Sequence, residues 1–276
     1  MKKILTLFCL LISLSLYSCN IETNTSYEIT SDIYGPETTQ TVLTQATSTF
    51  SEYENKSADN VYIQPDKYDI DVDYIYQNPE LPTGCEVTSL TMLLNYLGFD
   101  VSKTELVDNF LTMDYQGTKT FDQAFIGSPY TDAGYGCFAP VIVSTAQDYL
   151  DSVGSTYEPL NITGTEFDLL YDYISNDNPV VVWTSMYLME TYEDFCYTAA
   201  DGTDVYWYVN EHCMLLTGYD KENNTITAAD PLCGLMLYNA DAFKEKYDTL
   251  GKQAVVILTN HESDNNNEYL KAVMTD

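Results

Sequence analysis

The hydrophobic period changes partway along this chain, and that change restricts the fold more than any single motif does. Up to about Ser175 apolar residues recur at helical spacing: Leu90, Leu93, Leu94 and Leu97, then Leu106, Val107, Phe110 and Leu111, then segments from Val141 to Leu150 and from Glu166 to Ser175. Beyond that point Pro179 to Trp183, Val205 to Tyr219, Thr225 to Ala229 and Ala254 to Thr259 read as strands, with one helix near Asp241 to Leu250. Helices first and strands later predict an α+β domain with segregated lobes. A short strand is also expected over Ile70 to Tyr76, where apolar and polar residues mostly alternate. Gly98 stands where the first helix needs a C-terminal cap, and Ser102 with Glu105 makes a capping box for the second. Residues 112–140 carry many glycines and aromatics and read as a long functional loop.

The chain of 276 residues has room for one such domain, an export signal and a spacer. Lys2 and Lys3 precede an apolar run from Ile4 to Leu16, too short for a permanent membrane span but of secretory length. The run ends in Leu16-Tyr17-Ser18-Cys19, which resembles the lipobox of bacterial lipoproteins. The expected organisation is a signal peptide over residues 1–18, lipidation at Cys19, a disordered acidic Ser/Thr/Asn-rich tether over 19–67, a folded domain over 68–260 and a tail over 261–276. A lipid chain would tie the protein to the outer face of a bacterial membrane without a transmembrane helix. The net charge is −31, from 42 acidic and 11 basic residues, all of the latter Lys. Such a surface is repelled by phosphate backbones, which excludes nucleic acid as a partner, and it favours a soluble monomer.

Of seven cysteines, Cys9 leaves with the signal and Cys19 takes the lipid. Cys85, Cys137, Cys196, Cys213 and Cys233 remain, an odd number, so at least one thiol is expected to be unpaired. No CxxC or Cys/His ladder is present, and no metal or cofactor is expected from the spacings. Cys85 follows Gly84 at a helix start, where free N–H groups and the helix dipole favour a thiolate and the glycine permits close approach of a carbonyl. There are two histidines. His261 lies in the polar tail, whereas His212 opens an apolar strand, and a thiol nucleophile needs a base that is itself oriented by an acceptor. Asp230, ending the strand from Thr225, is the best candidate acceptor. Side-chain alternation then sets a condition: a three- or five-residue hairpin loop places His212 and Asp230 on one face, and a two-residue loop does not.

Gln77, the run Gly84-Cys85-Glu86-Val87-Thr88-Ser89 through Gly98, His212-Cys213-Met214-Leu215-Leu216-Thr217-Gly218-Tyr219-Asp220 and Ala229-Asp230-Pro231-Leu232-Cys233-Gly234 together resemble the family of bacteriocin-processing, double-glycine-leader peptidases. The resemblance is to its C39-like branch of free-standing exported proteins and covers about Tyr68 to Thr259. It implies a papain-like cysteine peptidase fold, with the nucleophile at a helix start and an antiparallel sheet carrying His and Asp. It further implies Cys85 as nucleophile, His212 as base, Asp230 as orienting acid, Gln77 as side-chain donor of the oxyanion hole, and a peptide or protein substrate. Two alternatives use the same residues differently: a cell-wall amidase or acyl transferase, and a non-catalytic lipid-anchored peptide-binding protein.

Overall fold

A computed structural model describes residues 63–115 and 117–258. The expected signal peptide, Cys19, most of the expected tether, and the expected tail with His261 lie outside the described residues. In chain order the elements are β1 (Lys67–Asp69), α1 (Cys85–Tyr96), α2 (Lys103–Asn109), β2 (Met113–Asp114), β3 (Phe125–Ile126), α3 (Ala139–Ser152), β4 (Glu158–Asn161), α4 (Phe167–Ile174), β5 (Val180–Ser185), β6 (Glu193–Thr198), β7 (Asp204–Tyr208), β8 (Glu211–Asp220), β9 (Thr225–Asp230), β10 (Gly234–Asn239), α5 (Ala240–Thr249) and β11 (Ala254–Leu258). The α+β expectation holds.

The main sheet is antiparallel, in the order β10-β9-β8-β5-β11-β4. β1 pairs with β8 beyond the end of β5, matching Asp69 to Gly218 where β5 stops at Leu216. The apolar runs occupy its centre: every residue of β5 and β11 is buried, and Trp183 is fully so. Such strands read as continuous apolar stretches because helices pack on them, α1 and α5 against β5 and α3 against β11. α1 packs on β8 and β5 and is itself buried from Cys85 to Leu94. Polar residues inside α1 satisfy themselves locally, Thr88 Oγ1 and Thr91 Oγ1 donating to the carbonyls of Gly84 and Val87 at 2.7 Å.

The helix punctuation behaves as its chemistry requires. Gly98 takes φ of +91°, and the bonds Phe99 N–H to Leu94 O (3.1 Å) and Gly98 N–H to Asn95 O (3.0 Å) close a complete Schellman cap. Ser102 Oγ accepts from Glu105 N–H at 3.1 Å.

Three expectations are corrected. Residues 70–76 are not a strand: their alternation reflects a crossing segment that buries Ile70 and Val72 and leaves Asp71 and Asp73 outside, while the strand lies three residues earlier. The last residues assigned to the tether belong to the fold, since Lys221 N–H donates to Asp66 O, Tyr219 O–H to Pro65 O and Gln64 Nε2 to Asp172 Oδ1. The compact unit begins at Ile63. The segment 112–140 is not free of regular structure, for β2 and β3 pair in parallel within it. The strands β4, β6 and β10 had no counterpart in the sequence reading.

Candidate active site

β8 and β9 bring His212 and Asp230 together by a route that neither hairpin expectation describes. The loop between Asp220 and Thr225 has four residues, which alone would set the two side chains on opposite faces. A β-bulge between Leu216 and Gly218 inserts Thr217 and restores the parity. Beyond the bulge Leu215 faces Ala229, so Asp230 falls level with Met214, two residues from His212 and on its side. His212 Nε2 and Asp230 Oδ1 are then 2.7 Å apart, both residues about 1% exposed.

Asp230 is held from three sides. Besides His212, Leu232 N–H donates to Oδ1 at 2.8 Å and Tyr238 O–H to Oδ2 at 2.6 Å. Burial alone would push this carboxyl up, but the hydrogen bonds and charge supplied by His212, Tyr238 and Leu232 outweigh it and bring it down to about 2. The same contact raises the Tyr238 phenol, burial being the larger cause. With Nε2 committed to Asp230, the His212 ring presents Nδ1 as its remaining nitrogen.

Cys85 is the first residue of α1 and lines a cleft of about 230 Å³ together with Gln77, His212, Tyr135, Trp207 and Glu211. Gly84 before it is required by packing: a Cβ there would meet Leu81 Cβ at 2.7 Å. The Cys85 thiol does not hydrogen-bond His212 in this structure. It donates to Glu86 Oε2 at 3.3 Å, and Glu86 Oε1 accepts from Cys137 N–H at 2.8 Å. The setting opposes the thiolate expected at the helix start: burial, then the neighbouring Glu86 and Glu211 carboxyls, push the Cys85 thiol well above its ordinary range. The two glutamates are themselves raised, burial first and their mutual repulsion next for Glu211. Cys85 Sγ and one carboxyl oxygen of each glutamate lie within 4.8 Å of one another. All five cysteines among the described residues are free thiols.

Gln77 is 3% exposed and reaches the cleft wall, where its Nε2 donates to Pro82 O at 2.7 Å and its Oε1 has no partner. Its backbone is pinned twice, by Gln77 N–H to Pro231 O at 2.9 Å and by Lys103 Nζ to Gln77 O at 2.7 Å. Lys103 also donates to Tyr76 O and pairs with Glu80 at 2.8 Å. Glu86, Glu211, Tyr238 and Lys103 were passed over as site residues in the sequence. Glu211 left a signal, a carboxylate opening an apolar strand, and Glu86 another, a charge facing inward on the first turn of a buried helix.

The family model described as Peptidase_C39 like matches residues 69–255. The chain belongs to that family. Its C39-like membership agrees with two further likenesses. The uncharacterized protein YvpB of Bacillus subtilis (strain 168) is 31% identical over 185 residues, 65% of this chain and 70% of that protein. A Bacillus anthracis protein assigned as a C39-like peptidase, solved by crystallography, superposes with a TM-score of 0.63 at 28% identity, covering 70% of this chain and 98% of that one. The fold is that of a C39-like, papain-like cysteine peptidase, with His212 and Asp230 on the sheet and Cys85 at the helix start.

Proposed function

We propose that this chain is an exported, lipid-anchored cysteine peptidase that hydrolyses peptide bonds through Cys85, His212 and Asp230. The observation that carries the reading is the His212–Asp230 hydrogen bond in the wall of the cleft whose lining includes Cys85. Asp230 fixes the imidazole with its Nε2–H toward the carboxylate, which leaves Nδ1 basic. The Cys85 thiol turns from Glu86 to that nitrogen and gives up its proton, and Sγ attacks the scissile carbonyl carbon. The tetrahedral oxyanion is received by the Cys85 backbone N–H, free at the helix start, and by the Gln77 amide, which has a second hydrogen beyond its bond to Pro82. The imidazolium returns the proton to the departing amine, leaving a thioester. His212 then removes a proton from water, whose oxygen attacks the thioester, and the carboxylic acid leaves as the thiol is restored.

Peptide-library cleavage by the intact protein tests this. Wild type is expected to cleave, Cys85→Ala to give no turnover with an unchanged far-UV spectrum, and cleavage retained by Cys85→Ala would end the reading. Surface attachment rests on the lipobox-like Leu16-Tyr17-Ser18-Cys19. Cell fractionation of Cys19→Ser is expected to release the protein from membranes; undiminished membrane association rejects the anchor.

A further inference from the structure

We propose that Cys85, Glu86 and Glu211 form a binding site for one thiophilic divalent cation of the zinc class, held at the cleft floor by one thiolate and two carboxylates. The three donor atoms lie within 4.8 Å of one another and all three residues are buried. Tetrahedral zinc with bonds of about 2.0–2.3 Å sets its ligand atoms roughly 3.3–3.8 Å apart. Cys85 Sγ and Glu86 Oε2 already stand at 3.3 Å, so small side-chain rotations complete the set.

A second observation points to a ligand independently. Glu211 is 8% exposed, and its buried Oε1 has no hydrogen-bond partner. A carboxyl oxygen taken from water without a donor is destabilising unless something fills its coordination. Among the described residues lining the cleft there is no lysine, and His212 is committed through Nε2 to Asp230. Acidic groups that converge without a neutralising side chain are matched by a cation, which the chain's net charge of −31 also concentrates near its surface. The sulfur donor selects zinc-like metals over magnesium or calcium, which prefer oxygen alone. On binding, the thiol releases its proton to solvent, as does whichever carboxyl carries one. Sγ and two carboxyl oxygens then donate electron pairs, with no change of oxidation state. Cys85 and Glu211 line the cleft, so a fourth ligand can reach the cation from it. A cation there occupies the Cys85 electron pair that attack on a carbonyl needs, so the loaded protein is a latent form.

Binding is read without reference to hydrolysis, by titrating metal-stripped intact protein with Co²⁺ and following sulfur-to-cobalt charge-transfer absorption. Wild type is expected to develop the band and to lose it when Zn²⁺ is added. Cys85→Ser is expected to abolish it, Glu211→Gln and Glu86→Gln to weaken Co²⁺ affinity tenfold or more, and Cys196→Ser to leave it unaltered. No band in excess Co²⁺, a full band in Cys85→Ser, or wild-type affinity in Glu211→Gln overturns the proposal. Wild-type protein that binds Co²⁺ through Cys85 but cleaves no peptide even after the metal is stripped refutes the hydrolase reading and leaves the cation site standing.

Discussion

Asp230 accepts hydrogen bonds from His212, Leu232 and Tyr238, and each has a measurable consequence. Its folded pKa of about 2 lies below that of an unfolded aspartate, near 3.9. The stabilisation it brings is therefore complete above about pH 4 and disappears as pH falls through about 2. Tyr238→Phe removes one donor, raises that folded pKa, and is expected to move the acid-unfolding midpoint followed by circular dichroism to higher pH. At neutral pH the same variant should lose about 1.5–3 kcal/mol, the range for a hydrogen bond to a charged group. Asp230→Asn should leave KM for a cleaved peptide nearly unchanged and lower kcat by up to about 10⁴-fold, because the imidazole loses its fixed tautomer. Cys85, His212 and Asp230 stood out in the sequence because the chemistry of a thiol nucleophile demands a base and an orienting acceptor. The upward push on the Cys85 thiol did not, because it comes first from burial in the folded cleft and then from Glu86 and from Glu211, the latter 126 residues away along the chain.

At the level of elements, Thr217 decides whether a site exists. The β8–β9 loop has four residues, and the bulge at Thr217 turns His212 back to the side of Asp230. Deleting Thr217 should keep the hairpin but send one of the two side chains to the opposite face. The expected result is loss of peptide cleavage and loss of the downfield imidazole N–H proton resonance that the Asp230 bond produces; retention of both refutes this account of register. Alternation in the sequence stated the parity condition correctly but could not supply a bulge, which carries no compositional mark in Leu215-Leu216-Thr217-Gly218. β4, β6 and β10 were missed for related reasons. β4 contains Pro159, which suits the edge of a sheet, and β10 alternates burial along Leu235 to Asn239 with Leu235 and Leu237 turned outward. α1 was legible almost to the residue, because capping and a buried leucine stripe agree there. Gly84→Ala tests its entry: the added Cβ collides with Leu81 and should lower stability by about 1–3 kcal/mol in denaturant titration.

At the scale of the whole molecule, one apolar sheet, covered by α1 and framed by the other helices, carries a cleft at the end where β8 begins. The division into helical and strand-rich parts was legible in the period of the sequence, and the family resemblance rested on runs that the fold places around that cleft. The start of the folded unit was not legible, because Gln64, Asp66 and Lys67 are polar and the segment joins the sheet through backbone and side-chain hydrogen bonds. A chain beginning at Ile63 should therefore match longer forms in thermal unfolding, whereas one beginning at Ile70 loses β1 and should unfold at lower temperature. The central claim is that Cys85 attacks carbonyl carbon with His212 as its base. A peptidyl acyloxymethyl ketone, mapped by mass spectrometry on the folded, metal-stripped protein, tests it most directly. The account predicts a single adduct at Cys85 that disappears in His212→Ala; labelling at Cys196 or Cys233 instead, or labelling of Cys85 at the same rate without His212, would contradict it.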